Sequence, residues 1–380
     1  MTTVAIDASN IISGGGLTHL VRMLTEARPA ESGVQRVHVW TSTATARQLP
    51  KQDWLVLHSP SWCNAGLARR MWGQQLQLPA MIKAAGCEVL FSPGGTLPAW
   101  SPVPMVTMSQ NMLPFEPGRA QLFGRWSWMR LKMRMLRSSQ GRSFRRAQGL
   151  IFLSRYARDT VTAALGNLSA ATVLIPHGIE RRFSLPPRPQ RAVRADRTLR
   201  LLYVSIQMPY KHHIELMEAV AQLRQRDHDV VLIMAGSNAG AHGRAVRHQR
   251  LALDPEQAFL QDLGHVDFER LHELYAQADA FVFASSCENL PNILIEAMAA
   301  GLPIACSKCG PMPEVLGDAG IYFDPESPVS VAQAIERLAE DTALAADLAQ
   351  RAWDRSQGYS WSRCASDTFA FVSKLASLKT

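Results

Sequence analysis

Two glutamates carry the densest chemical signal in this chain. Glu288 and Glu296 are separated by seven residues, in a run where an apolar strand, Ala280 to Ala284, gives way past Pro291 to helix-forming residues that stop at Gly301. Leu302 to Cys306 then returns as a second strand. In that βαβ unit Glu288 lies at the carboxyl end of the first strand, where doubly wound sheets bind ligands. Glu296 falls about two turns further along, on the helix. Backbone N–H groups from Asn289 and Leu290 to Asn292 have no helical acceptor at such a start. With the helix dipole they attract an anion, most naturally a phosphate. Carboxylates on both sides of a phosphate cradle suit a ligand with hydroxyls flanking a diphosphate, which describes a nucleotide sugar. The same spacing serves equally for a capping Glu288 and a solvated Glu296.

Other candidate groups sit at the ends of strand-like runs. Leu201-Leu-Tyr-Val-Ser205-Ile-Gln207-Met-Pro-Tyr-Lys211 runs into a polar loop whose lysine can set a cation on a diphosphate, although a loop lysine is more often merely solvated. Near the N-terminus, Val4 to Asp7 is followed by Gly14, Gly15 and Gly16 and then by a periodic helix, Leu17 to Leu24. Such a turn lets the backbone approach a ligand closely. It lacks the Gly-x-Gly-x-x-Gly pattern, which disfavours a dinucleotide fold. Gln110 and Asn111 end the strand Val103 to Met108; neither amide titrates, so they offer hydrogen bonds to a sugar rather than acid–base chemistry. His265, after Gly264, suits either a loop over a nucleobase or an ordinary turn. Cys306 and Cys309 have C-x-x-C spacing without a second pair or a His cluster, so they are expected to pack at a strand end, and no metal site is expected.

The elements that position these groups fall into two α/β halves. At 380 residues the chain accommodates two domains, and 47% hydrophobic with 19% charged residues describes an ordinary globular protein. The first half is expected to span 1–184, with strands at Val37–Trp40, Trp54–Leu57, Val89–Phe91 and Leu150–Leu153. A linker rich in Pro and Arg, Leu185 to Arg194, opens the second half, 185–360. There strands at Leu199–Ser205 and Val230–Ala235 alternate with helices expected at 212–225, 268–277 and 329–340. Trp361 to Leu378 is amphipathic. No secretory pattern and no apolar run of about 18 residues is visible, so a reduced, cytoplasmic protein is expected.

The segment from Glu288 to Pro303, with Glu296-Ala-Met-Ala-Ala-Gly301-Leu-Pro303, resembles the signature of retaining glycosyltransferases of family 4, which have the GT-B fold. That resemblance implies two Rossmann-like parallel-sheet domains facing an interdomain cleft, with the terminal segment 361–380 packing back on the first. It implies that Glu288 and Lys211 do the central work of transfer. Gly15, Gly16, Gln110, Asn111, Ser205, Gln207, His265, Asn289, Leu290 and Glu296 would surround the donor. Departures are visible. The family's Gly-Arg after the second-domain strand is Ser205-Ile206 here, so one cation is missing and Gln207 is the nearest polar substitute. The family's Gly-Phe-Gly after the first Glu is Asn289-Leu290, followed by Pro291. His177-Gly178 stands where the family has an Asn-Gly turn, and reads as structural.

From Arg119 to Arg146 the chain has nine basic residues and no acid. Read as one helix, it carries an apolar stripe of Leu122, Trp126, Met129, Met133 and Leu136, and a nearly opposite one of Trp128, Leu131 and Met135. One stripe can pack on the domain. The other, flanked by Arg130, Arg134 and Arg137, would rest on an anionic membrane surface. A helix buried on both sides is the alternative. Nucleic acid is not expected despite the net charge of +8, because no recognised module appears. The resemblance thus implies a hexosyltransferase, of the kind that adds mannose or rhamnose in bacterial surface polysaccharides, including lipopolysaccharide. It would be peripheral on the inner face of the plasma membrane, with a lipid-linked or polysaccharide acceptor and no cofactor or metal. The rivals are a nucleotide-sugar epimerase of similar fold, which would need titratable groups around the sugar, and a non-catalytic subunit that recruits a partner to the membrane.

Overall fold

The computed structural model describes residues 2–124, 127–187, 198–238 and 240–377. Arg125 and Trp126 of the basic stretch, residues 188–194 of the linker, and residues 378–380 lie outside the described residues. The chain divides into two units. One comprises Met1–Pro117, Trp126–Gly178 and Ser360–Thr380, and the other Gly118–Arg125 and Ile179–Tyr359.

In the first unit, β1 (Thr2–Asp7), β2 (Val34–Trp40), β3 (Leu55–His58), β4 (Val89–Ser92), β5 (Met105–Met108), β6 (Gly149–Phe152) and β7 (Ala171–Leu174) pair in the order β3-β2-β1-β4-β5-β6-β7. Every pairing is parallel. β4, β5 and β6 are buried along their whole length, as strands covered on both faces must be. β5 begins only after Pro104, which has no N–H to give a ladder. The terminal helix Trp361–Ala376 packs on the helix Gly15–Glu26 and on β1 and β4, burying Trp361, Phe369 and Val372.

The second unit repeats the plan. β8 (Leu199–Val204), β9 (Val230–Ala235), β10 (Leu260–Asp262), β11 (Ala280–Phe283), β12 (Ile304–Ser307) and β13 (Ile321–Phe323) form a parallel sheet in the order β10-β9-β8-β11-β12-β13. In each sheet the winding reverses beside the first strand, between β1 and β4 and between β8 and β11. Ligands bind outside the carboxyl ends of strands at such a switch point. The β8–β11 point is closed by Ala280 opposite Leu201 and Phe281 opposite Leu202.

The basic stretch is not one helix, contrary to the sequence reading. A single turn, Pro117–Ala120, and a 3-10 turn, Gln121–Phe123, end at Gly124, whose φ of 82° only glycine adopts readily. A separate helix, Trp128–Arg146, starts beyond it, with the Ser127 hydroxyl accepting from the Met129 N–H at 3.1 Å. Arg119 and Leu122 therefore belong to the second unit. On the helix proper, Met133 is buried, whereas Trp128, Leu131 and Met135 are exposed, so burial on both sides is ruled out. Among the described residues, no helix is long and apolar enough to cross a membrane.

Candidate functional site

The loops after β8 and β11 meet at the switch point of the second sheet. β8 ends in Tyr203 and Val204, both buried, and the chain then turns through Pro209–Lys211 into the helix His213–Gln225. His212 makes that turn in the left-handed region, at φ 50°. The Tyr203 hydroxyl donates to the Lys211 carbonyl at 2.6 Å and fixes where the turn lies. The second loop is stitched to the first through Ser286. Its N–H donates to the Tyr210 carbonyl at 2.8 Å, and its hydroxyl lies 2.8 Å from His212 Nε2. His212 Nδ1 in turn lies 3.4 Å from Glu215 Oε1.

This lacing brings Lys211 and Glu288 together. Lys211 Nζ donates to Glu288 Oε1, with both side chains largely withdrawn from water and the ammonium 5.4 Å from the centre of the Tyr210 ring. Glu288 is not a helix cap: the following helix, Asn292–Ala299, has Pro291 at its cap position. A buried ion pair is poor evidence of a stabilising role, since desolvation consumes most of its attraction. An ammonium has three donors, and Glu288 is the only hydrogen-bond partner of the Lys211 ammonium among the described residues. The pair thus offers a cation and a carboxylate to one ligand.

Glu296 is neither solvated nor beside that pair in bonding. It is buried, and its Oε2 accepts from the Tyr275 hydroxyl at 3.0 Å. Burial pushes its carboxyl up to about 8; the hydrogen bond from Tyr275 opposes the rise, Glu180 adds to it and Arg182 opposes it. Arg182 lies 4.5 Å over the Phe268 ring. The helix start is less open than expected, because the Asn292 N–H donates to the Leu290 carbonyl at 3.0 Å. Asn289 and Leu290 are buried. Gly310 follows β12 at φ 58°, and a Cβ there would lie 3.9 Å from the Glu288 nitrogen.

The remaining residues of this unit expected on the donor side lie after β8 and β10. Gln207 is buried, with Nε2 donating to Asp262 Oδ2 at 3.1 Å and Oε1 without a partner among the described residues. The Ser205 hydroxyl donates to the Ile206 carbonyl at 3.2 Å, and the Ser205 carbonyl sits where a Cβ on Gly236 would be, 1.9 Å away. His265 is exposed beside Asp267, at 3.8 Å. In the first unit, Gly14 caps the helix Gly15–Glu26 at φ 70°, and nothing lies within 4 Å of a Cβ built on Gly15. Gly16 and Gln110 do meet, for such a Cβ on Gly16 would stand 3.0 Å from Gln110 Oε1. Asn111 is exposed and uses Oδ1 to accept from the Leu113 N–H at 3.1 Å.

Sequence reading missed the strap 117–124. Within the second unit, Arg119 pairs with Glu326 after β13 and donates from Nη2 to Cys309 Sγ, 3.5 Å away, while the Phe123 ring lies tilted against Tyr210 with centres 6.2 Å apart. The strap therefore touches the loops after β8, β12 and β13, on either side of the Glu288 loop. Gly118 and Gly124 bracketing a lone Phe were the available signal. Cys306 and Cys309 are free thiols. Among the described residues, the side chains close enough to share a cation are His228, Glu336 and Glu340, and Arg226 already holds both oxygens of Glu336 at 3.0 and 3.1 Å.

Residues 198–341, which carry all of the β8–β11 site, match the family model described as glycosyl transferases group 1. The match thus lies wholly within the second unit, which is similar to group 1 glycosyl transferases over those residues. Over 112 residues the chain is 32% identical to the O-antigen chain mannosyltransferase B of Escherichia coli, a match covering 30% of this chain and 29% of that protein. The chain spans between 29% and 53% of the length of the curated relatives it matches. Two solved structures share the whole fold. A sucrose-phosphate synthase from Thermosynechococcus elongatus superposes with a TM-score of 0.76 at 17% identity, covering 97% of each chain. The Anabaena protein HepE, solved with UDP and glucose, gives 0.70 at 18% identity over 100% of each. The GT-B fold expected from the sequence is thus the fold of this chain.

Proposed function

We propose that this chain is a retaining glycosyltransferase that moves a hexosyl unit from a nucleoside-diphosphate sugar to a lipid-linked or polysaccharide acceptor in cell-surface glycan synthesis. Mannose or rhamnose is the sugar class favoured, in keeping with the named mannosyltransferase relative. One observation carries the reading: Lys211 and Glu288 are paired at the switch point of a group 1 sheet. Lys211 holds the diphosphate and Glu288 a donor-sugar hydroxyl, with Glu296 on a hydroxyl elsewhere on the donor. HepE, solved with UDP and glucose, supports a donor of this type. With Gln110 and Asn111 in place of titrating residues, the departing phosphate is the natural acceptor of the incoming hydroxyl's proton. The first unit serves the acceptor at the inner face of the plasma membrane, through the helix Trp128–Arg146.

Nucleotide sugars should raise the melting temperature of the wild-type protein, as any ligand of the folded state does. Glu288→Ala and Lys211→Ala should each lower transfer by about 10²-fold or more, since each removes a charge-assisted contact to the transition state. Both variants should still fold cooperatively, with a lowered melting temperature without ligand because each leaves its former partner's charge unpaired. Turnover at wild-type rates in both variants would sink the site. The reading also assigns no metal to the diphosphate, so transfer should survive EDTA. Loss with chelator and recovery on adding Mg²⁺ would point to a different class of transferase.

A further inference from the structure

We propose that the helix Leu67–Leu76, together with Trp100, forms a second lipid-seated surface on the first unit, docking on an anionic membrane leaflet. The helix is inverted relative to a soluble one, which turns its apolar face inward. Its buried side holds Gly73 and Gln74. A Cβ on Gly73 would lie 2.2 Å from the Trp62 ring, so the helix backbone is pressed directly on that indole. Gln74 donates from Nε2 to the buried carboxyl of Asp7 and to the Thr96 carbonyl at 3.2 Å. The outward side holds Leu67, Met71, Trp72 and Leu76, all exposed, with Trp72 at 55%.

Trp100, 64% exposed, belongs to the same surface. Gln75 ties its loop to the helix, accepting from the Ala99 N–H at 2.7 Å and donating to the Leu97 carbonyl at 3.3 Å. The same loop reaches the helix Trp128–Arg146, where the Ser143 hydroxyl accepts from the Leu97 N–H at 3.0 Å. Soluble proteins seldom leave so many large apolar side chains together in water unless something covers them.

Charge decides what covers them. Between residues 54 and 158 lie only two of the chain's 32 acidic residues, Glu88 and Glu116, but fourteen of its 40 Lys and Arg. Arg69, exposed, borders the apolar side of the helix itself. A strongly basic, acid-poor stretch carrying outward tryptophans matches anionic headgroups over an acyl boundary, where indole rings settle. The inference shares with the proposed function only the membrane as partner; it rests on different residues.

The test uses the full chain and vesicles of phosphatidylglycerol in phosphatidylcholine. Replacing Met71, Trp72 and Leu76 together with Ser should reduce vesicle cosedimentation by roughly tenfold or more. Nucleotide-sugar binding and melting temperature should be unaltered. The milder pair Trp72→Phe and Trp100→Phe should retain binding while losing much of the fluorescence quenching by brominated lipid. Unchanged cosedimentation of the Ser variant would overturn the proposal. So would a lipid-free dimer in the wild type that the same Ser substitutions dissolve, since the face would then belong to a second copy. A variant with Arg130, Arg134 and Arg137 changed to Ser separates the two ideas. If it alone loses vesicle binding, the helix Leu67–Leu76 is not the anchor although the membrane role stands. If the wild type binds no vesicles, both fail.

Discussion

A carboxyl group with no water around it holds its proton, and Glu296 is such a group. Its pKa of about 8 comes from burial, so the folded chain keeps a proton that the unfolded chain releases near 4.5. Stability attributable to this side chain therefore falls as pH rises from about 4.5 to about 8, and is fully present only at the acid end. Glu296→Gln keeps an oxygen for the Tyr275 hydroxyl but removes the ionisation. The variant should match wild type in urea at about pH 4.5 and exceed it at about pH 8, by an amount on the order of a few kcal/mol. If Glu296 holds a donor hydroxyl, as proposed, donor affinity should fall in the same variant. Equal urea midpoints at both pH values would show that Glu296 is hydrated in solution. The spacing Glu288–Glu296 was legible in the sequence, and so was the loop carrying Lys211. The burial of Glu296 was not, because Tyr275, Glu180 and Arg182 come from distant parts of the chain.

At the scale of elements, legibility followed how closely each one obeys its period. β9 matches its expected residues, Val230–Ala235, and the helices after β8 and β13 match to within a residue, because unbroken apolar runs and clean amphipathic stripes announce them. The helix Leu67–Leu76 went unread because its pattern is reversed, with Gly and Gln inside and Trp outside. β7, β10 and β13 were missed as edge or near-edge strands of three or four residues, too short to show alternation. For the helix Trp128–Arg146, changing Arg130, Arg134 and Arg137 to Ser should weaken binding to anionic vesicles, at about 1 kcal/mol per basic residue near the surface. The three are not equivalent. Arg137 donates to the Ala164 carbonyl at 3.3 Å, whereas Arg134 is exposed. Singly changed, Arg134→Ser should cost vesicle binding and Arg137→Ser thermal stability. Cosedimentation beside melting curves separates them, and the opposite assignment would mean that Arg134 faces protein.

At the scale of the whole molecule, the two-sheet plan was legible from alternating strands and helices, but strand order was not, since parallel pairing joins residues far apart in sequence. That order is what places β8 beside β11 and so makes a site of Lys211 and Glu288. Each unit also buries a neutral histidine that the chemistry does not use. His19 is pushed well below its ordinary range by burial and then by His177. His213 is lowered to about 3, first by burial and then by His242, Lys211 and His212, against a hydrogen bond to the Ser205 backbone. The unfolded chain accepts these protons near 6.5 and the folded chain does not. Stability is therefore fully present above about 6.5 and declines as pH falls below it, which is the opposite slope to that of Glu296. For His213 the loss at pH 5 comes to about 2 kcal/mol, from 1.5 pH units below the unfolded value. His213→Gln should therefore be costly at pH 7.5, where the native ring is well packed against Tyr203 at 4.8 Å, and less costly by about that amount at pH 5. Denaturant midpoints of wild type and variant at the two pH values give the difference directly. A gap that stayed constant with pH would mean that His213 takes up a proton in the folded state, and that water reaches the turn carrying Lys211.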